Sequence, residues 1–254
     1  MNYPRVFRAA LATAALAVTL ARADSPVEQA AEDIKRGEYT HAEDLLMPLV
    51  ETKRADAAAY YNMALVRMAQ KRNEDAVKFA ERATKGDPTK AQYFSQLGLA
   101  CYARIAEVGP LDGDALATKM RKSFERALAI DPRQMAALMG LMHFYERAPE
   151  IVGGNRRKAV EFAERVRQID PYQGEIELGR LAAGANDFES ALVHYDAATK
   201  LQPDDLATAT ACGWTLYKLG RKNEARARFE AVLKVNPDFG PAQLGMTETA
   251  PAAH

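Results

Sequence analysis

A residue pattern that returns every 34 positions constrains this chain more than any other feature. Near the C-terminus Ala191-x3-Tyr195-x2-Ala198-x4-Pro203 recurs as Ala225-x3-Phe229-x2-Val232-x4-Pro237, each pair offset by 34 residues. A fixed period of this size is the mark of a solenoid of helix–turn–helix units, each touching only its neighbours. Such a fold has no single deep pocket by default; it has a long concave surface.

The period can be followed through the chain. Ala42, Ala76, Ala159, Ala191 and Ala225 hold one small-residue position of the second helix, and Pro88, Pro132, Pro171, Pro203 and Pro237 close successive units. Four of these prolines follow an acid or its amide: Asp87, Asp131, Asp170 and Asn236. Proline cannot continue a helix and pushes the residue before it out of the helical region, so each one ends a second helix and redirects the chain.

Leu97-Gly98 and Leu178-Gly179 form a recurrent pair, of which Cys212-Gly213 keeps the glycine. Tyr60 and Phe94 are the aromatics of first helices, and Phe124, Tyr195 and Phe229 those of second helices. In these positions the chain resembles the tetratricopeptide repeat family, whose pattern is W-x2-L-G-x2-Y…A-x3-F…P. The resemblance implies an all-α, right-handed superhelical solenoid of about six antiparallel helix pairs, at 25–54, 56–88, 91–132, 135–171, 172–203 and 206–237. The solenoid is expected over 24–246. Ser25 should cap the first helix, with Pro26 at its first position. Residues 241–246 should add a short turn, and 247–254 should form a disordered tail.

Residues 1–23 read as a cleaved signal peptide. Arg5 and Arg8 precede the apolar run Ala9–Leu20, and Ala21-Arg22-Ala23 fits the small-x-small cleavage rule. The run is too short for a bilayer, which takes roughly 20 residues. Cleavage after Ala23 leaves 31 basic and 34 acidic residues, a net charge of −3. No basic stripe suits a phosphate backbone, so nucleic acid is not expected as a partner. Export permits disulfides, but Cys101 and Cys212 lie more than three repeats apart and are expected as separate buried residues.

Two units are long. Pro88 to Pro132 spans 44 residues and Pro132 to Pro171 spans 39, ten and five beyond the usual 34. The surplus falls near 106–120 and 148–154, where Gly109-Pro110, Gly113, Pro149 and Gly153-Gly154 mark non-helical backbone. Either these stretches are loops that stand side by side on one edge and contribute to binding, or they lengthen the helices.

Each first helix carries two stripes at helical spacing. One, including Met63, Leu97, Cys101, Leu141, Leu178 and Leu216, should pack inside the pairs. If the family geometry holds, the other faces the groove and supplies the candidate partner-binding residues Tyr61, Leu65, Met68, Leu99, Tyr102, Met139, His143, Arg180, Trp214 and Tyr217. It is apolar and aromatic, as interfaces favour, with His143 and Arg180 as basic accents. The alternative is that it packs against neighbouring helices. Some family members grip a C-terminal carboxylate with Lys, Asn and Arg; the matching positions here hold Tyr61, Leu65, Gln96, Ala136 and Gly140, and no register restores the clamp.

Chemistry is sparse. His41, His143, His194 and His254 form no short-spaced pair with each other or with cysteine, and no nucleophile-elbow or phosphate-loop pattern occurs. No catalytic residue, metal or cofactor is expected. The reading is a non-catalytic scaffold in the bacterial periplasm, binding a protein or peptide segment by apolar docking. Two other readings stay open: a carrier of a small apolar ligand or envelope lipid beneath the long loops, and a self-assembling structural subunit. On the groove reading, Trp214→Ala should weaken capture while changing stability by within about 1 kcal/mol, as at an exposed site.

Overall fold

The computed structural model describes residues 25–52 and 56–250. The expected signal peptide and the end of the expected tail, 251–254, lie outside these residues. Among the described residues are thirteen α-helices, twelve of which form six consecutive pairs: α1 (Pro26–Arg36) with α2 (Tyr39–Val50), α3 (Ala57–Ala69) with α4 (Asn73–Gly86), α5 (Ala91–Ile105) with α6 (Pro110–Ile130), α7 (Met135–Arg147) with α8 (Arg156–Ile169), α9 (Pro171–Gly184) with α10 (Phe188–Leu201), and α11 (Leu206–Lys218) with α12 (Lys222–Val235). The thirteenth, α13 (Gly240–Glu248), packs on α11 and α12. It reaches beyond the turn expected at 241–246.

Helix ends follow the local chemistry. Ser25 and Glu28 form a capping box with Pro26 at the first turn, so the donors that open α1 are satisfied. At the closing prolines Asp87, Asp131, Asp170 and Asn236 share one extended conformation, with φ of −141°, −131°, −131° and −135°. The clash with the proline ring produces that shape at these four boundaries; the first pair, which has no closing proline, ends at Glu51 in the helical region. Inside the pairs the turn is equally periodic: Gly37, Lys71, Asn186 and Gly220 all have positive φ, between 59° and 79°. A left-handed residue here reverses the chain within two or three positions.

First helices of neighbouring pairs touch (α1 with α3, α3 with α5, α5 with α7), while no two second helices approach to a comparable extent. The stack therefore curves with its first helices inside. The repeated alanines Ala42, Ala76, Ala159, Ala191 and Ala225 are fully buried, and Met120, at the same position of the third pair, is buried too. The packing stripe is core: Met63, Cys101, Leu138, Leu141, Met142 and Cys212 are all inaccessible or nearly so. Both cysteines are unpaired, and burial pushes each thiol up to about 11, which keeps it protonated and unreactive.

The glycines of the repeat receive aromatic rings. Phe124 of α6 lies between Gly98 of α5 and Gly140 of α7; a Cβ at either glycine would stand 2.5 or 2.4 Å from the ring. Phe229 of α12 sits in the same way between Gly213 and Gly245 of α13. One ring thus joins three helices, locking each pair to the next.

The surplus of the third pair is mostly helix. α6 has 21 residues against 14 for α4, α8, α10 and α12, a difference of 7 or about two turns. Gly113, expected in non-helical backbone, is inside it. The surplus of the fourth pair does leave the helical path, as a 3-10 turn over Glu150–Val152 followed by Gly153 at φ 102°.

Candidate protein-binding groove and the cleft beside it

The ten candidate residues share one exposure class apart from Tyr102. Tyr61, Leu65, Met68, Leu99, Met139, His143, Arg180, Trp214 and Tyr217 are half-buried, and Tyr102 is 49% exposed. Met68, Leu99 and Met139 pack on the central cluster, Trp214 and Tyr217 on the C-terminal one. Tyr61 leans on Tyr93 with ring centroids 5.0 Å apart.

Trp214 is more deeply engaged than an exposed anchor. Its indole lies 5.3 Å from the buried Phe229 ring and edge-on to Tyr217 at 5.8 Å. Trp214→Ala should therefore cost about 2 kcal/mol, roughly half the loss of a fully buried aromatic. This replaces the expectation of a change within about 1 kcal/mol, and urea denaturation of the variant checks it.

His143 and Arg180 are not the basic accents expected. Arg180 Nη1 donates to Glu146 Oε1 at 2.5 Å and Nε donates to Glu177 Oε2 at 2.8 Å. Gln173 Nε2 donates to the other Glu177 oxygen at 3.0 Å, and His143 Nδ1 stands 3.4 Å from Arg180 Nη2. Two carboxylates neutralise the guanidinium, and the network ties α7 to α9. Burial works to raise the Glu146 pKa, but the bond and charge of Arg180 outweigh it and hold the group below its usual range. Burial lowers the His143 pKa below 6.5, opposed by Glu177 and Glu146 and reinforced by Arg180 and Arg147, so the ring is neutral near pH 7.

A depressed histidine pKa means that the unfolded chain binds more protons. Stability held above pH 6.5 is lost as pH falls from there through the folded value. The urea midpoint should drop between about pH 7 and about pH 5, and His143→Gln should flatten that slope. An unchanged slope in the variant would assign the acid sensitivity to other groups.

Beyond the stripe, α5, the extended start of α6, the end of α7 and the turn after it enclose a cleft of about 650 Å³. Ile105, Ala117, Phe144 and Val152 give it apolar walls, and Arg121 and Arg147 line it as well. Tyr102 and His143 belong both to the stripe and to the cleft, so the two surfaces are continuous. The surplus segments of the third and fourth pairs thus do meet. Arg121, Phe144 and Arg147 were not among the candidate residues. Arg147 is one helical turn beyond His143 and within reach of the stripe argument; Arg121 is on a second helix, outside the first-helix stripes that supplied the candidates.

Two further histidines have structural partners. His41 Nδ1 pairs with Asp33 at 2.7 Å, and His194 Nδ1 with Glu175 at 2.6 Å. Asp33, Glu38 and His41 bring potential ligand atoms within 4.8 Å of one another, but Arg36 already bridges the two carboxylates. That donor set serves an ion pair better than a metal.

Models of the tetratricopeptide repeat family match residues 27–91 and 182–247. The intervening stretch holds the two long units. Among solved structures the fold is similar to PilW, a widely conserved type IV pilus biogenesis factor (TM-score 0.69, 16% identity, covering 86% of this chain and 96% of that one). It is also similar to pilF of Pseudomonas aeruginosa (TM-score 0.66, 14% identity, 89% and 96%) and to a thermophilic tetratricopeptide protein of Thermus thermophilus (TM-score 0.59, 17% identity, 76% and 97%). In sequence it is 24% identical over 204 residues to Superkiller protein 3 of Schizosaccharomyces pombe, matching 77% of this chain and spanning only 14% of that protein's length. At these identities the likeness concerns fold. With family matches at both ends and one continuous stack of helix pairs joining them, this chain belongs to the tetratricopeptide repeat family.

Proposed function

We propose that the protein is a non-catalytic scaffold of the bacterial envelope, exported to the periplasm, that holds a partner segment along the surface formed by its first helices. Protein–protein interaction is what the family membership supports. The observation that carries the finer reading is the stripe from Tyr61 to Tyr217: mostly apolar and aromatic side chains that are half-buried, six of them packed against buried clusters. Side chains held in this way lose little entropy when a partner covers them. Among the described residues no helix is long and apolar enough to cross a membrane.

Two measurements test this. Tyr61→Ser with Leu65→Ser should reduce capture of partners from envelope extracts about tenfold or more, as loss of central interface anchors does, with the thermal midpoint followed to separate binding from folding. Cell fractionation and the mass of the secreted chain test export, with Asp24 as the expected N-terminus. Full-length protein confined to the cytoplasm would overturn the envelope assignment.

A further inference from the structure

We infer that the cleft between α5, α6, α7 and the turn at 150–152 seats an acidic side chain of the partner segment, flanked by apolar residues, with its carboxylate on Arg121 and Arg147; this rests on the groove reading above. At about 650 Å³ the cleft is within the range of roughly 300–1,000 Å³ typical of binding sites, and most of its wall is apolar. Its permanent charges are two arginines and Asp114. Asp114 is seven residues before Arg121 on α6, about 10 Å along the helix axis. Arg121 is therefore two helical turns from the one acid.

Both arginines have donors to spare. Arg121 holds Glu125 of its own helix through Nη1 at 2.8 Å, an i,i+4 surface pair of the weak kind. Arg147 Nη1 donates to the Tyr102 hydroxyl at 3.0 Å, and its Nε is 3.9 Å from Glu146. A guanidinium carries five N–H donors in a fixed fork, so each can take a carboxylate oxygen without giving up its present contact. His143, neutral by burial, adds no charge that would alter this balance near pH 7.

The occupant is a protein segment because the apolar surface continues outside the cleft. Ile151 is 95% exposed and Val152 46% exposed at its rim, and Tyr102 leads from it into the groove. A small carboxylate would fill the hollow and leave Ile151 in water; a chain running from the groove over the rim covers both.

The test is selection of a random linear-peptide library on the protein, followed by anisotropy titration of the enriched peptides. Enriched sequences should share an Asp or Glu beside Leu, Ile, Phe or Trp. Arg121→Gln with Arg147→Gln should weaken them about 30-fold, as loss of a hydrogen-bonded charge pair does. Exchanging the peptide acid for its amide should weaken binding to the wild type similarly and change little in the arginine variant. Equal affinity of peptides for wild type and arginine variant, with loss in the Tyr61→Ser/Leu65→Ser variant, would overturn the cleft assignment and leave the groove reading standing. Binding of sodium dodecanoate that depends on both arginines, with no peptide enriched, would also overturn it and assign the cleft to a small carboxylate. No enrichment and no dodecanoate binding would overturn both readings.

Discussion

Phe124→Ala should destabilise the fold by about 3–5 kcal/mol, the usual range for truncating a fully buried aromatic. The more decisive result is expected from its neighbours. In the wild-type background Gly140→Ala should be destabilising by about 1–3 kcal/mol, because the new Cβ would stand 2.4 Å from the ring and force it aside. In the Phe124→Ala background the same substitution should become stabilising by about 1 kcal/mol, because the obstacle is gone and alanine is the better helix former. The sign reversal is a coupling larger than separated sites show. Urea titrations of the four proteins measure it, and additivity would mean that the ring does not occupy the space between Gly98 and Gly140. Trp214, the lone tryptophan, reports on the sixth pair while far-UV circular dichroism reports on all helices. Coincident curves would show that damage at the third pair reaches the sixth; separated curves would show an array that opens in parts.

Arg180→Met should lower stability by about 2–3 kcal/mol near pH 7. Breaking a fully buried ion pair costs about 3–5 kcal/mol, and Arg180 retains some contact with water, which places the effect lower. The loss arises from what stays behind: Glu177 is buried, and Glu146 Oε2 is buried without a hydrogen bond even in the intact protein. The pH dependence then changes sign. In the wild type the Glu146 pKa is held below 4.5, so its contribution is complete above that value and lost as pH falls through the folded pKa. Without Arg180, burial is the largest influence left on Glu146 and works to raise its pKa, opposed by His143, so acidification from neutrality should restore stability to the variant. Adding Glu146→Gln and Glu177→Gln to Arg180→Met should recover most of the loss. A variant as stable as wild type at neutral pH would show that water already screens the network.

The sequence predicts the pairs well because their determinants are local or strictly periodic. A proline closes every pair but the first, and Ser25 with Glu28 fixes the first cap. The third pair is harder. Gly109, Pro110 and Gly113 carry the composition of a loop, yet a helix begins at Pro110 and runs through Gly113. Proline is a helix starter at the first turn as well as a breaker later on, and only the neighbouring α5 and α7 decide which role applies. The groove stripe is legible as a helical face, but its charge is not. Glu177 lies three residues before Arg180, within reach of a local argument. Glu146 arrives from another helix, and its distance from Arg180 in space depends on how far the long fourth unit displaces α7 from α9. The cleft combines both difficulties, since it exists only where two irregular segments meet.

The left-handed turn residues at 37, 71, 186 and 220 act as a length gauge. Where one is present, the chain must reverse at once, and an added residue would rotate the second helix off its packing face. The third pair has no such residue among those described, and the fourth postpones it to Gly153. There the chain has grown outward from the edge of the stack while Phe124 and the buried alanines keep their places. Core and edge are thereby uncoupled in heredity: selection can lengthen, shorten or recharge the rim of this scaffold, and so change what it recognises, without renegotiating the packing that keeps it folded.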